Sequence, residues 1–123
     1  MALVRRLDPW APPLVLMAVI FVLSGQPSLD SGLGLIDTVG RKLVHAGEYA
    51  LLAALWWRAF RERLGDRRAA LAGFVIASLY ALSDELHQLL VDGRHGTPVD
   101  WLIDTAGAGL AVWYLGLRRR VRA

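Results

Sequence analysis

Basic, imidazole and carboxylate side chains fall in four clusters of an otherwise apolar chain: Lys42, His45 and Glu48; Asp84, Glu85 and His87; Arg94 and His95; and Asp100 and Asp104. Cations beside an imidazole and a carboxylate are the parts needed to hold an anion and move a proton. Helical steps of three and four residues share a face. Lys42, His45 and Tyr49 therefore line up, with Glu48 at the margin of their stripe. Asp84, His87 and Gln88 share a second face, with Tyr80 one turn below and Glu85 off to the side toward Gln88. Asp100 and Asp104 align above Gly107. Charge within an apolar span is costly unless paired or wetted, so these groups mark a site rather than a surface.

The elements that must position them follow from composition. The chain has 123 residues, 55% of them hydrophobic, and a net charge of +3. That is one domain, 1–123, with more apolar surface than so small a soluble fold can hide. A bilayer can hide it, since about 20 helical residues cross its hydrocarbon. Four such stretches are predicted, at 10–24, 41–60, 69–91 and 100–117, making an all-α integral membrane four-helix bundle. Arg5 and Arg6 precede the first, Arg58, Arg61, Arg63, Arg67 and Arg68 crowd the link between the second and third, and Arg118, Arg119, Arg120 and Arg122 end the chain. Short basic segments stay inside, so the expected topology is multi-pass in the cytoplasmic membrane with both termini cytoplasmic. All four clusters then reach the outer side at one depth.

The pI near 10 does not point to nucleic acid, because the arginines sit at helix ends with no aromatic interleaving. Anionic membrane lipids are the better partner for them. Cysteine is absent, which excludes disulfides, thiolate metal sites and cysteine nucleophiles. The arginines before the first apolar run resemble a signal peptide, but Ser24-Gly25-Gln26-Pro27 is a weak cleavage site, and a retained helix agrees with the charge pattern. No internal repeat or low-complexity tract is seen.

Pro12 and Pro13 suit the first turn of helix one. Residues 28–40 mix Gly, Ser and Asp with Leu33, Leu35, Ile36 and Val39, and are expected to form a loop on the outer membrane surface. Ala46, Ala50 and Ala54 recur at four-residue spacing on the second helix, and Gly107 and Ala111, with Gly109 beside them, on the fourth, which makes the two helices candidates for direct contact. Small residues at that spacing allow close helix contact, although ordinary apolar filler reads the same way.

Each charged residue also has a plainer reading. Lys42 could snorkel to the interface, the Asp84/Glu85 pair could be a polar helix end, Asp100 an N-cap, and the segment around Gly93 and Arg94 a turn. Asp104 is the hardest to dismiss, since it lies in the first turn of an otherwise uncharged span.

The pattern Arg41-Lys42-x-x-His45-x-x-Glu48-Tyr49-x-x-Leu52, followed by Ser83-Asp84-Glu85-x-His87-Gln88-x-x-Val91-x-Gly93-Arg94-x-x-Thr97-x-x-Asp100-x-x-x-Asp104-x-x-Gly107, resembles the VanZ-like family of small bacterial membrane proteins. The Ser24 to Pro27 exit is similar too. Departures are Asp92 where the family often has proline, Thr97 where it often has serine, and Asp104 where it often has asparagine. The resemblance implies a single VanZ-like transmembrane domain. The family's named member is associated with low-level resistance to the lipoglycopeptide teicoplanin, without a settled biochemical activity.

Two functions are open on the residues. In the first, an outward-facing polar pocket processes or recognises a cell-envelope lipid, a lipid-linked cell-wall precursor or a lipoglycopeptide. Lys42 and Arg94 would hold a phosphate, His45 or His87 would supply acid/base chemistry, and Asp84 or Asp100 would orient a histidine. Glu48, Tyr49, Glu85, Gln88 and Asp104 would complete the substrate-binding wall. The carboxylates outnumber the cations, which favours protonated carboxylates or a bound cation, and a divalent metal is a cofactor that these groups with Glu48 could hold. No fixed metal motif such as His-Glu-x-x-His is present, and neither is a Pro-Ser-Gly-His phosphatase signature. In the second, the protein is a non-catalytic binding or structural membrane protein whose charged network locks the helix bundle.

Overall fold

The computed structural model describes residues 8–24, 35–88 and 98–117, all helical except for a turn at 8–10. Helix α1 spans Ala11–Ser24 and carries Pro12 and Pro13 in its first turn, where the missing amide donors cost nothing. Helix α2 spans Leu35–Gln88. Helix α3 spans Pro98–Val112 and continues as a π-helical turn, Trp113–Leu117.

The expected second and third spans are therefore one assigned helix, interrupted where Gly65 leaves helical geometry at φ 80° and ψ 165°. Drawn straight, 35 residues of helix would cover roughly 52 Å. Instead the Tyr49 hydroxyl donates to Asp84 Oδ2 at 3.1 Å, so the chain reverses at Gly65 and its arms, 35–64 and 66–88, lie side by side. The basic segment read as a link is almost wholly helical, because arginine and leucine sustain a helix and one glycine suffices to break it. Trp57 of the first arm donates its indole N–H to the Asp66 carbonyl, 3.2 Å away, and so ties the first arm to the chain just past the break.

At Gly65 a Cβ would meet nothing within 4 Å, so the glycine is needed for its backbone angles alone. Gly65→Ala is expected to cost about 1–2 kcal/mol through that strain, read as a lower melting temperature in detergent.

The expected loop at 28–40 needs correction over its described part: residues 35–40 are already helical. Leu35, Ile36, Val39 and Leu43 continue the apolar spacing of the arm, and a single interior Gly40 is tolerated at about 1 kcal/mol. Residues 28–34 lie outside the described ones.

α1 packs across both arms. Trp10 meets Phe60 edge-on, with ring centroids 5.2 Å apart, and the Tyr80 hydroxyl donates to the Met17 carbonyl. α3 is held by close approach. A Cβ on Gly107 would strike the Ala46 backbone, the contact expected from the small-residue spacing. Within α2, a Cβ on Gly73 would come within 2.7 Å of the Ala53 carbonyl oxygen. The buried core is correspondingly rich in alanine, including Ala53, Ala69, Ala77, Ala81 and Ala108.

Polarity is distributed inside out. Leu43 and Leu110 are each 68% exposed, with Leu14, Val15, Leu51, Leu71 and Leu79 also facing outward, while Asp84 and Asp104 are 4% and 1% exposed. Water would penalise both halves of that arrangement, whereas hydrocarbon suits an apolar exterior and leaves charge to the interior. The stretch 39–87 is long and apolar enough to cross a membrane, and the shorter apolar segment Ala11–Val22 lies in α1.

Candidate functional site

Helix direction decides which clusters meet. The start of the first arm, the end of the second and the start of α3 all lie at the end of the molecule away from Gly65. There Lys42 Nζ sits 3.4 Å from Asp100 Oδ1, joining the first arm to α3. Tyr49, fully buried, bonds Asp84 and joins the two arms. His45 Nδ1 is 3.8 Å from Glu48 Oε2, one turn along the same arm. Residues from three of the four sequence clusters thus gather at one end of the bundle, with Tyr80 beside them, its ring centroid 6.4 Å from that of Tyr49.

Asp104 projects into this assembly from α3. Both of its carboxylate oxygens are buried without a hydrogen-bond partner among the described residues, and it lies within electrostatic reach of Glu85, Asp84, Asp100 and Glu48. Glu85 is itself buried. The cluster is rich in carboxylates, and Lys42 is a cation paired with one of them, Asp100. Among the described residues, no three carboxylate or imidazole groups converge as a metal ion would require.

The histidines part company. His87 stacks on Phe21 of α1, with ring centroids 4.6 Å apart and planes 14° from parallel. Its Nδ1 is buried and has no hydrogen-bond partner among the described residues, so no described carboxylate orients the ring through that atom. His45 has Glu48 beside it, and among the described residues that pair is an imidazole–carboxylate couple. Asp84 is occupied by Tyr49 and Asp100 by Lys42. Arg94 and His95 lie outside the described residues, as does the side chain of Gln88.

Sequence reasoning overlooked two polar contacts between the second arm and α3. Ser78 Oγ and Thr105 Oγ1 are hydrogen-bonded at 3.1 Å, and the Trp101 indole N–H donates to the Ser78 carbonyl at 3.0 Å. The signal was available, since lone hydroxyls in apolar spans commonly bridge helices. Chemically, this end of the bundle offers an imidazole beside a carboxylate, a phenol bonded to a carboxylate, a lysine paired with a carboxylate, and the buried Glu85 and Asp104.

A family model described as VanZ/LLP1 matches residues 10–119, nearly the whole chain. No curated protein matches the chain, and no solved structure does.

Proposed function

Because the chain belongs to the VanZ/LLP1 family, we propose that it is a multi-pass, four-span protein of the bacterial cytoplasmic membrane whose polar chamber faces outward and processes or recognises an envelope lipid or lipid-linked phosphate. The observation that carries this reading is the burial of Asp84, Glu85 and Asp104 inside a fold whose exterior is apolar. Such groups in a membrane interior are expensive and mark a substrate or proton path. Orientation rests on the arginines, which crowd the Gly65 end and leave the chamber on the other side. His45, held beside Glu48, is the proposed acid/base group, Lys42 with Arg94 the proposed phosphate holder, and His87 a second proton carrier. A contribution to tolerance of teicoplanin-type glycopeptides belongs to this same proposal.

The competing reading is a network that only fastens the helices, and the Tyr49–Asp84 bond between the two arms supports it. Asp84→Asn keeps an amide oxygen that can accept the Tyr49 hydrogen bond, and His87→Gln puts an uncharged polar side chain of similar length in place of the imidazole, so both variants should fold. In a lipid-turnover assay, a catalytic chamber should lose about 100-fold or more in rate with melting temperature in detergent preserved. Full turnover in both variants would remove Asp84 and His87 from the chemistry. A fallen melting temperature with turnover retained per folded molecule would favour the fastening role.

A further inference from the structure

A polar recess lies at the opposite end of the molecule, beside Gly65. It is a cavity of about 660 Å³ between the start of α1 and the end of the first arm, and its lining includes Asp8, Trp10, Arg58, Arg61, Glu62 and Arg63. That volume falls in the range of small-molecule sites, roughly 300–1,000 Å³. Three guanidinium groups face two carboxylates, and one of the three is already engaged: Arg58 Nη2 contacts Asp8 Oδ2 at 2.7 Å. The other two are held differently. Arg61 lies over the Trp57 ring, 5.0 Å from its centroid, and Arg63 over the Trp10 ring at 5.4 Å. Among the described residues neither forms an ion pair.

An indole face attracts a guanidinium without using up its N–H donors. Arg61 and Arg63 are therefore positioned, charged and still able to donate in the forked geometry that matches a phosphate. Trp10 also places the recess at a definite depth. It begins the apolar run of α1, where tryptophan favours the level of the lipid headgroups. We propose that this recess binds a phosphate-ester anion, the group carried by anionic phospholipid headgroups, with Arg61 and Arg63 as its donors. The site is separate from the carboxylate-rich cluster and does not depend on any reaction there.

The test uses the full chain in neutral detergent, with binding followed by native mass spectrometry and by shift of melting temperature. The probes are short-chain phosphatidylglycerol, short-chain phosphatidylcholine and inorganic phosphate. Phosphatidylglycerol should bind the wild type more tightly than phosphatidylcholine. The double variant Arg61→Gln/Arg63→Gln should weaken it about tenfold or more, the loss of at least one charge-assisted hydrogen bond. Arg61→Lys/Arg63→Lys preserves charge, removes the fork and should also weaken binding, which keeps the test decisive if the glutamine pair folds poorly. Arg67→Gln/Arg68→Gln removes the same charge from exposed positions that do not line the recess, and should bind as the wild type does. Competition by inorganic phosphate would identify the phosphate group alone as the ligand, and its absence would identify the lipid. Undiminished binding in the Arg61/Arg63 variants, or equal loss in the Arg67/Arg68 control, would overturn the assignment.

Discussion

Replacing Gly107 with valine is expected to break the packing of α3 on the first arm, at a cost of about 3 kcal/mol or more. Even a bare Cβ at this position would collide with the carbonyl of Ala46, and the atoms it meets are all backbone. A flexible side chain could swing away, but a helix backbone yields only by moving as a whole. Such movement would also separate Lys42 from Asp100, which are 3.4 Å apart across the same pair of helices. The measurement is a melting curve in detergent, supported by protease sensitivity. Gly47→Val serves as control, because a Cβ there meets nothing within 4 Å, and it should shift the melting temperature far less. Equal shifts for the two substitutions would mean that the close contact at Gly107 is not what holds α3.

Asp104→Asn is expected to raise stability by on the order of 3 kcal/mol, the penalty attached to burying a carboxyl group among other acids with no partner to offset its desolvation. The side chain is 1% exposed, its oxygens lack partners among the described residues, and its charged neighbours are carboxylates. Asparagine preserves the shape, removes the like-charge repulsion and adds N–H donors facing those acids. Asp84→Leu provides the contrast. Asp84 accepts the buried Tyr49 hydroxyl, so removing its oxygens should lower stability by about 1–3 kcal/mol. Opposite signs at two acids sharing one cluster would separate a carboxylate kept for function from one that fastens the arms. If Asp104→Asn melts lower than the wild type, a cation holds Asp104 in the native protein, and a ligand or a residue outside the described segments must supply it.

Periodicity alone was sufficient to align Lys42 with His45 and Asp84 with His87, because helical geometry sets which residues share a face. It did not determine partners. Nothing local distinguishes Tyr49 as the donor to Asp84, since the two are 35 positions apart and meet only because the backbone reverses at Gly65. His87 shows the same limit: its face was legible, but the ring it lies against belongs to α1. The loop expected up to residue 40 was misread because glycine and aspartate weigh heavily in a short window, while packing along a long arm can carry them in a helix.

What the amino-acid sequence by itself determined was an all-helical chain, the family to which it belongs, the small-residue stripes on two of its helices, and the set of ionisable residues from which a site could be built. These follow from composition and from spacing within one helix, both of which are local. Only the tertiary structure decided that Asp104 is left without a described partner while Asp84 is satisfied, that the His87 ring lies against Phe21, and that a tryptophan of the α1 start holds Arg63 at the far end. Those outcomes depend on which helix faces meet after the chain folds back, and that is set by packing between residues far apart in sequence.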